Sequence, residues 1–139
     1  MAGVRVYRDS SVSVANDTLV AISFTDETFD DFGGWSVSTP TLLVSDRNAR
    51  ALVLAQLSFA TSALGRRGVI IQRNGTTICQ SIAVSGGTGN RYVLASTTLD
   101  IATGDELRCM AFQDSGAALN VNGEGDGNAS WFALQFLQR

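Results

Sequence analysis

Apolar residues occur along the chain in short runs rich in Val, Ile, Leu, Phe and Thr. The runs recur about every ten residues and are separated by Gly, Asn, Asp and Ser. No stretch shows the helical spacing of apolar positions. This pattern is typical of an all-β sandwich or barrel. We therefore predict about ten strands, near residues 4–8, 12–14, 18–24, 41–44, 50–60, 68–73, 76–84, 91–99, 105–112 and 130–137.

Glycine-containing turns separate several of the predicted strands. Asn74-Gly75 stands between two apolar runs, and Asn-Gly readily adopts the positive φ angles of a tight antiparallel hairpin. Gly86-Gly87 and Thr103-Gly104-Asp105 mark two further turns. The acidic run at residues 25–32 is interpreted as a solvated turn between strands.

The last predicted strand, Trp131–Leu137, is apolar on both of its faces. A strand that covers one side of a sandwich normally alternates apolar and polar residues. Since a small two-layer domain has one interior, the second apolar face needs another cover, and we predict a subunit interface. The alternative is that loops fold over it. The sequence does not decide which face turns outward, so the interface candidates are Trp131, Phe132 and Phe136.

Length and composition indicate one folded domain over residues 1–139. The chain is 45% hydrophobic and only 17% charged, and its size suits a single hydrophobic core. All ten cationic residues are arginine, and the formal net charge of −3 argues against a nucleic-acid partner. No apolar stretch is long enough to span a membrane, and no signal peptide is visible. We therefore expect synthesis in a cytoplasm.

The composition also argues against an enzyme. The chain has no histidine, which removes the commonest general base and the commonest metal ligand. A glycosidase pair drawn from Asp26, Glu27, Asp30 and Asp31 would need one buried carboxyl with a raised pKa, and nothing in the sequence marks one. We predict no catalytic residue, no cofactor and no metal site.

Three further groups of side chains are candidates for ligand binding or thiol chemistry. Asn120–Asn128 places oxygen-bearing side chains at every second position, which suits calcium, but the flanking helices of a calcium-binding loop are missing, so a surface loop is preferred. Arg66 and Arg67 form a pair that would suit a carboxylate or an acidic sugar. Cys79 and Cys109 lie within predicted strands and are expected to be buried free thiols.

Four segments, taken in order, resemble the trimeric jelly roll of the complement globular head and the tumour necrosis factor superfamily. The residues that carry the resemblance are Phe24 with Glu27, Phe29-Asp30 and Gly33, then 64–75, 99–107, and the closing strand through Phe132 and Leu137. The resemblance implies an all-β jelly-roll sandwich that forms a homotrimer. Because the last strand is apolar on both faces, we predict Trp131, Phe132 or Phe136 close to the threefold axis of this trimer.

Similar trimeric jelly rolls serve as decoration (cement) proteins on bacteriophage heads. By this analogy we expect a virion protein made in the host cytoplasm that binds the major capsid protein. The capsid contact is expected at Val4, Arg5 and Val6, as an edge strand that adds to a neighbouring chain. The alternative interpretation is that this segment is the first strand of the domain's own sheet. The alternative function is a fibre-tip or lectin-like trimer that binds host glycan, with Trp35 or Tyr92 as its aromatic platform.

Overall fold

The fold is built from twelve β-strands, and the computed structural model describes residues 1–137. No helix that could cross a membrane occurs in this range. The strands are β1 (Gly3–Tyr7), β2 (Val12–Val14), β3 (Val20–Ala21), β4 (Asp26–Asp30), β5 (Leu43–Val44), β6 (Ala49–Phe59), β7 (Arg66–Arg73), β8 (Thr76–Val84), β9 (Arg91–Ile101), β10 (Glu106–Gln113), β11 (Leu119–Val121) and β12 (Trp131–Leu137).

Two antiparallel sheets pack face to face. In the seven-stranded sheet, β4, β1, β12, β6 and β9 lie side by side, and β11 and β2 continue the sheet beside the end of β6. The five-stranded sheet has the order β3, β10, β7, β8, and β5 also pairs with β10. The predicted all-β sandwich is confirmed.

The core lies between the two sheets, because every second side chain of each long strand points inward. On β6 the buried residues are Ala51, Val53, Ala55, Leu57 and Phe59, and they alternate with more accessible ones over most of the strand. The five-stranded sheet contributes residues such as Val69, Ile71, Leu107, Cys109 and Ala111. The outward-pointing side chains of both sheets are therefore what the molecule presents to partners.

The predicted turns are confirmed. Asn74 and Gly75 have positive φ angles of 52° and 84° and join β7 to β8 as an antiparallel hairpin. Gly87 and Gly104 also have positive φ angles, in the connections that precede and follow β9. Asparagine and glycine are the residues that adopt this backbone conformation at least cost.

The interpretation of residues 25–32 as a turn is wrong. Asp26–Asp30 forms the edge strand β4, which pairs with β1. The sequence pattern misses it because an edge strand without a covering layer has no buried face, and the first four of its side chains are exposed. The short strand β11 was likewise not predicted.

Two turns at one end of the sandwich are held together by side chains. The Asn74 amide donates to Asp105 Oδ1 (2.9 Å), and the Glu106 backbone N–H donates to Asn74 Oδ1 (2.9 Å). Asp105 Oδ2 accepts the backbone N–H of Ala102 (2.9 Å). The Ala102 N–H and the Asn74 amide both lower the pKa of Asp105. This contact joins the β7–β8 hairpin to the β9–β10 turn.

Asp105→Asn is expected to remove part of the acid sensitivity of folding. The pKa of Asp105 is lower in the folded chain than in the unfolded chain, where it is about 3.9. The ionised carboxylate therefore stabilises the fold above about pH 3.9, and this stabilisation is lost as the pH falls below that value. At neutral pH the variant is expected to lose about 1 kcal/mol of stability, since an amide has one accepting oxygen and can accept from Asn74 or from the Ala102 N–H but not from both. Urea unfolding from pH 7 to pH 3 measures both effects. The control is Asp9→Asn, at an exposed carboxylate, and an identical pH dependence in all three proteins would contradict the prediction.

Candidate assembly surface

The two faces of β12 have different environments. Phe132, Leu134 and Phe136 point between the sheets and are buried. The Phe132 ring stacks on Phe24 with centroids 5.8 Å apart, and the Phe136 ring lies 5.0 Å from Phe32. Of the three predicted interface residues, Phe132 and Phe136 are therefore part of the chain's own core, and Trp131 alone lies on the outside.

The outward side of the seven-stranded sheet carries a group of apolar side chains, which is interrupted by the polar Gln56 and Ser96. Trp131 pairs with Gln56, which pairs with Leu94 on β9, and Ala133 pairs with Leu54 in the next row. Paired residues point to the same side of a sheet. We call this surface the outer apolar face; its members are Leu52, Leu54, Tyr92, Leu94, Trp131, Ala133 and Leu137.

Much of the outer apolar face is open to solvent. Tyr92 is 53% exposed, Leu94 52% and Leu137 39%, although all three belong to strands. No loop among residues 1–137 covers them. The subunit interface predicted over this face stays a prediction, and the alternative of covering loops does not apply to these three residues.

Arg5, on strand β1, lies on the same side of the sheet as Trp131. Its guanidinium lies 4.8 Å from the centroid of the Trp131 ring, and Nη2 donates to the Gly127 carbonyl at 3.0 Å. Its Nε atom is buried and has no hydrogen-bond partner in the described residues. Arg5 therefore holds Trp131 in place, and one of its donors remains unused.

The predicted capsid contact at Val4, Arg5 and Val6 is corrected by the structure. Val4 and Val6 are completely buried. Strand β1 lies between β12 and β4, so it has no free hydrogen-bonding edge for a neighbouring chain. The segment is the first strand of the domain's own sheet, and deletion of residues 2–6 would remove an interior strand.

The acidic residues of the 25–32 segment have structural partners. Asp30 accepts the backbone N–H groups of Gly34 (2.9 Å) and Trp35 (3.0 Å). Asp31 accepts that of Gly3 (2.9 Å), and Asp26 accepts the Tyr7 hydroxyl (3.2 Å). These contacts hold the loop after β4 and its pairing with β1, which is a structural use of carboxylates.

Arg66 and Arg67 do not form a joint carboxylate site. Arg66 is already paired with Asp114, with Nη2 at 2.8 Å and Nε at 3.0 Å from Oδ2. Arg67 is almost completely buried and donates to the carbonyls of Arg66 and Ser62. Burial lowers the pKa of the Arg67 guanidinium. Neither group is free to bind a ligand at the surface.

The remaining predicted groups also have defined places. In the Asn120–Asn128 segment, Asp126 accepts the backbone N–H of Asn128, and residues 1–137 contain no cluster of three or more metal-binding side chains of the His, Cys, Asp or Glu type. Cys109 is buried and its pKa is raised by burial, whereas Cys79 is half-buried. The Trp35 indole is partly buried and donates to the Pro40 carbonyl.

A cleft of about 200 Å³ lies between the chain start and the 47–49 segment. Its walls include Met1, Arg47, Asn48 and Phe136. Arg47 is ion-paired with Asp46 at 2.7 Å, and its guanidinium stacks 4.4 Å from the Phe136 ring. The Arg47 guanidinium in this cleft is therefore already paired with a carboxylate. The outer apolar face is a better candidate for contact with a partner, because its apolar side chains are exposed to solvent.

Comparison with known proteins supports the fold. No family model matches the chain, and no curated protein sequence is similar to it. Among solved structures, the globular domain of zebrafish complement 1qA protein matches with a TM-score of 0.71 at 10% identity, over 100% of this chain and 99% of that one. Murine APRIL at pH 5.0 matches with a TM-score of 0.74 at 11% identity, over 98% of both chains. Eiger TNF from S. frugiperda gives 0.68 at 13%, over 99% of this chain and 92% of that one. The predicted jelly roll of the complement globular-head and tumour necrosis factor type is confirmed.

Proposed function

We propose that the chain, as one jelly-roll domain over residues 1–139, is a non-enzymatic structural protein. It forms a homotrimer through the outer apolar face and decorates the capsid of a bacteriophage. The observation that carries this proposal is the exposure of Tyr92, Leu94 and Leu137 on a strand face. The homotrimer builds on the need to cover that face, and the capsid role builds on the analogy with trimeric jelly-roll decoration proteins.

The cost of leaving the outer apolar face in water supports assembly. Removing apolar surface from water contributes roughly 25 cal/mol per Å², and contiguous apolar patches on strands favour edge-to-edge or face-to-face association unless they are covered. A homotrimer is favoured because the jelly-roll resemblance implies that assembly, and because a closed ring leaves no repeated patch free.

The proposed partner is the major capsid protein, and the proposed location is the outside of a virion assembled in the host cytoplasm. A trimer suits the threefold and pseudo-threefold positions of a capsid, where three identical patches make the same contact and their binding adds through avidity. We propose no cofactor and no nucleic-acid partner for the protein.

The capsid contact needs a surface other than the N-terminal segment. On the outward side of the five-stranded sheet, Ile82 and Val84 are exposed by 46% and 71%. They lie beside Gly68 and Arg66 of β7, on the sheet opposite to the one that carries the outer apolar face. We therefore place the capsid contact at Ile82 and Val84.

Binding to undecorated phage heads tests this function. The intact protein is expected to bind heads in hundreds of copies, and the variant Ile82→Asp/Val84→Asp is expected to remain trimeric but to bind at least tenfold more weakly. The matched control is Val37→Asp, at an exposed aliphatic residue in a loop, and it should bind normally. Quantitative mass spectrometry of the recovered particles gives the copy number.

Two outcomes would contradict the proposal. Full-strength binding by the Ile82→Asp/Val84→Asp trimer would remove that surface from the account. Absence of head binding by the intact protein, together with binding to host cell walls, would replace decoration by the fibre-tip or glycan-binding function. In that case Tyr92 is the one aromatic platform left from the sequence prediction, since Trp35 is partly buried.

A further inference from the structure

The chain contains two Asn-Gly pairs, Asn74-Gly75 in the β7–β8 turn and Asn122-Gly123 after β11. Such pairs are chemically labile, because asparagine is a thermolabile residue and glycine has no side chain to keep its backbone nitrogen away from the asparagine amide. We infer that Asn74 is a site of spontaneous deamidation, that Asn122 is protected, and that the reaction releases the β7–β8 hairpin from the β9–β10 turn. This inference does not depend on the proposed trimer.

The reaction consumes only water and needs no partner protein. The backbone nitrogen of Gly75 loses its proton and bonds to Cγ of Asn74, while the Cγ–Nδ2 bond breaks and the side-chain nitrogen leaves as ammonia with that proton. Water then adds to one of the two carbonyl carbons of the resulting five-membered ring, and the ring C–N bond at that carbon breaks as the nitrogen regains a proton. The product is aspartate or isoaspartate, and in both cases a neutral amide has become a carboxylate.

The surroundings of Asn74 and Gly75 leave room for this ring closure. Both residues are exposed, and beyond the chain neighbours of Gly75 no heavy atom lies within 4 Å of the position that its Cβ would take. Among residues 1–137, no backbone carbonyl accepts the Gly75 N–H, so the attacking nitrogen is open to the water or hydroxide that removes its proton. The contacts of the Asn74 amide with Asp105 and with the Glu106 N–H hold the side chain and slow the reaction relative to the unfolded chain.

Asn122 and Gly123 are in a different environment. Both are half-buried, and the Asn122 amide donates to the Ser58 hydroxyl at 3.1 Å while its backbone N–H donates to the Ser58 carbonyl at 2.7 Å. The Gly123 backbone packs so closely on Ser10 that a Cβ added to Gly123 would collide with the Ser10 backbone. The peptide between Asn122 and Gly123 therefore has no room to turn toward the side chain, and deamidation there requires local unfolding.

Deamidation at Asn74 removes the donor that joins the two turns. The Asn74 amide donates to Asp105 Oδ1 at 2.9 Å, whereas a carboxylate at position 74 has no N–H to donate and places a second negative charge beside Asp105. Two carboxylates in contact repel each other. The cation Arg73 lowers the pKa of Asp105 less than the Asn74 amide does, so it offsets only part of this repulsion. Isoaspartate also lengthens the backbone of the turn by one methylene, and the hairpin therefore separates from the β9–β10 turn.

Ageing of the purified protein in mildly alkaline buffer tests the site. Ion-exchange chromatography separates the more acidic product, and peptide mapping by mass spectrometry measures deamidation at residues 74 and 122. Residue 74 is expected to react at least about tenfold faster than residue 122. In Asn74→Gly, which keeps the positive φ angle of the turn, the main acidic product is expected to be absent. Asn122→Gly is the matched control and should age like the unmodified protein.

Hydrogen exchange measures the release of the hairpin. In Asn74→Asp, and in the acidic product isolated from the aged protein, the N–H groups of residues 74 and 106 are expected to exchange at least about tenfold faster than in the unmodified protein. Both groups bridge the two turns, since the Asn74 N–H donates to the Glu106 carbonyl and the Glu106 N–H donates to the Asn74 side chain. Asn122→Asp is the control for the added charge and should leave exchange at these two positions unchanged.

The outcomes separate the modification site from its structural effect and from the proposed trimer. A rate at residue 74 no faster than at residue 122, or an unchanged acidic product in Asn74→Gly, would overturn the assignment of the site. Unchanged exchange at residues 74 and 106, in both Asn74→Asp and the aged protein, would overturn the release of the hairpin. Both measurements report on the single chain, so a monomeric protein removes the proposed trimer and leaves this inference standing.

Discussion

Replacing Leu54 by aspartate is expected to convert the proposed trimer into a folded monomer. Leu54 lies in the middle of the outer apolar face, between Ala133 and Ser96 in the strand register. In the trimer, the aspartate would be buried in each interface without a partner, which costs several kcal/mol, or more than a thousandfold in assembly. In the monomer the same side chain points to solvent, so the fold is retained.

Light scattering and circular dichroism check this prediction together. The expected result is the mass of one chain, 14.7 kDa, with an unchanged β-sheet spectrum. Val37→Asp, at a loop position that is 77% exposed, is the matched control and should leave the trimer intact. A stable trimer of Leu54→Asp would exclude the outer apolar face as the seam.

Phe132→Ala is expected to act on the fold itself. The ring is completely buried and stacks on Phe24, so its removal leaves a cavity in the core. Substitutions of this kind cost about 3–5 kcal/mol. The sequence alone placed Phe132 among the interface residues, so this result distinguishes a location in the core from a location in the subunit interface.

Urea unfolding in the Leu54→Asp background measures the effect on the monomer without a contribution from assembly. Phe29→Ala is the matched control, since Phe29 is 41% exposed on the edge strand β4, and it should cost less than about 1 kcal/mol. Equal losses for the two substitutions would contradict the assignment of Phe132 to the core.

The fold was largely predictable because its strands have covered faces. The β7–β8 hairpin follows from Asn74-Gly75 and from the apolar runs on both sides, and these are local signals. Strand β4 was missed because its side chains are mostly exposed, so its pairing with β1 depends on a partner distant in the sequence. Edge strands of this kind lack the alternation of apolar and polar residues that identifies a strand in the sequence.

The assembly surface was only partly predictable. The sequence shows that β12 is apolar on both faces, but deciding which face is buried requires knowledge of where the second sheet lies. Leu54 carried a usable signal, because residues 51–57 of β6 are also largely apolar on both faces, whereas β9 has only Tyr92 and Leu94 as apolar residues on its outward side. Val4 and Val6 were placed at a partner contact, since an N-terminal strand looks the same in sequence whether it lies at the edge or inside a sheet.

Native mass spectrometry of the unmodified protein at low micromolar concentration measures its oligomeric state. If the outer apolar face is covered by copies of the same chain, the spectrum is expected to contain one dominant species with three times the 14.7 kDa mass of the chain. A well-folded monomer as the dominant species, with Tyr92 and Leu94 open to solvent, would contradict the account.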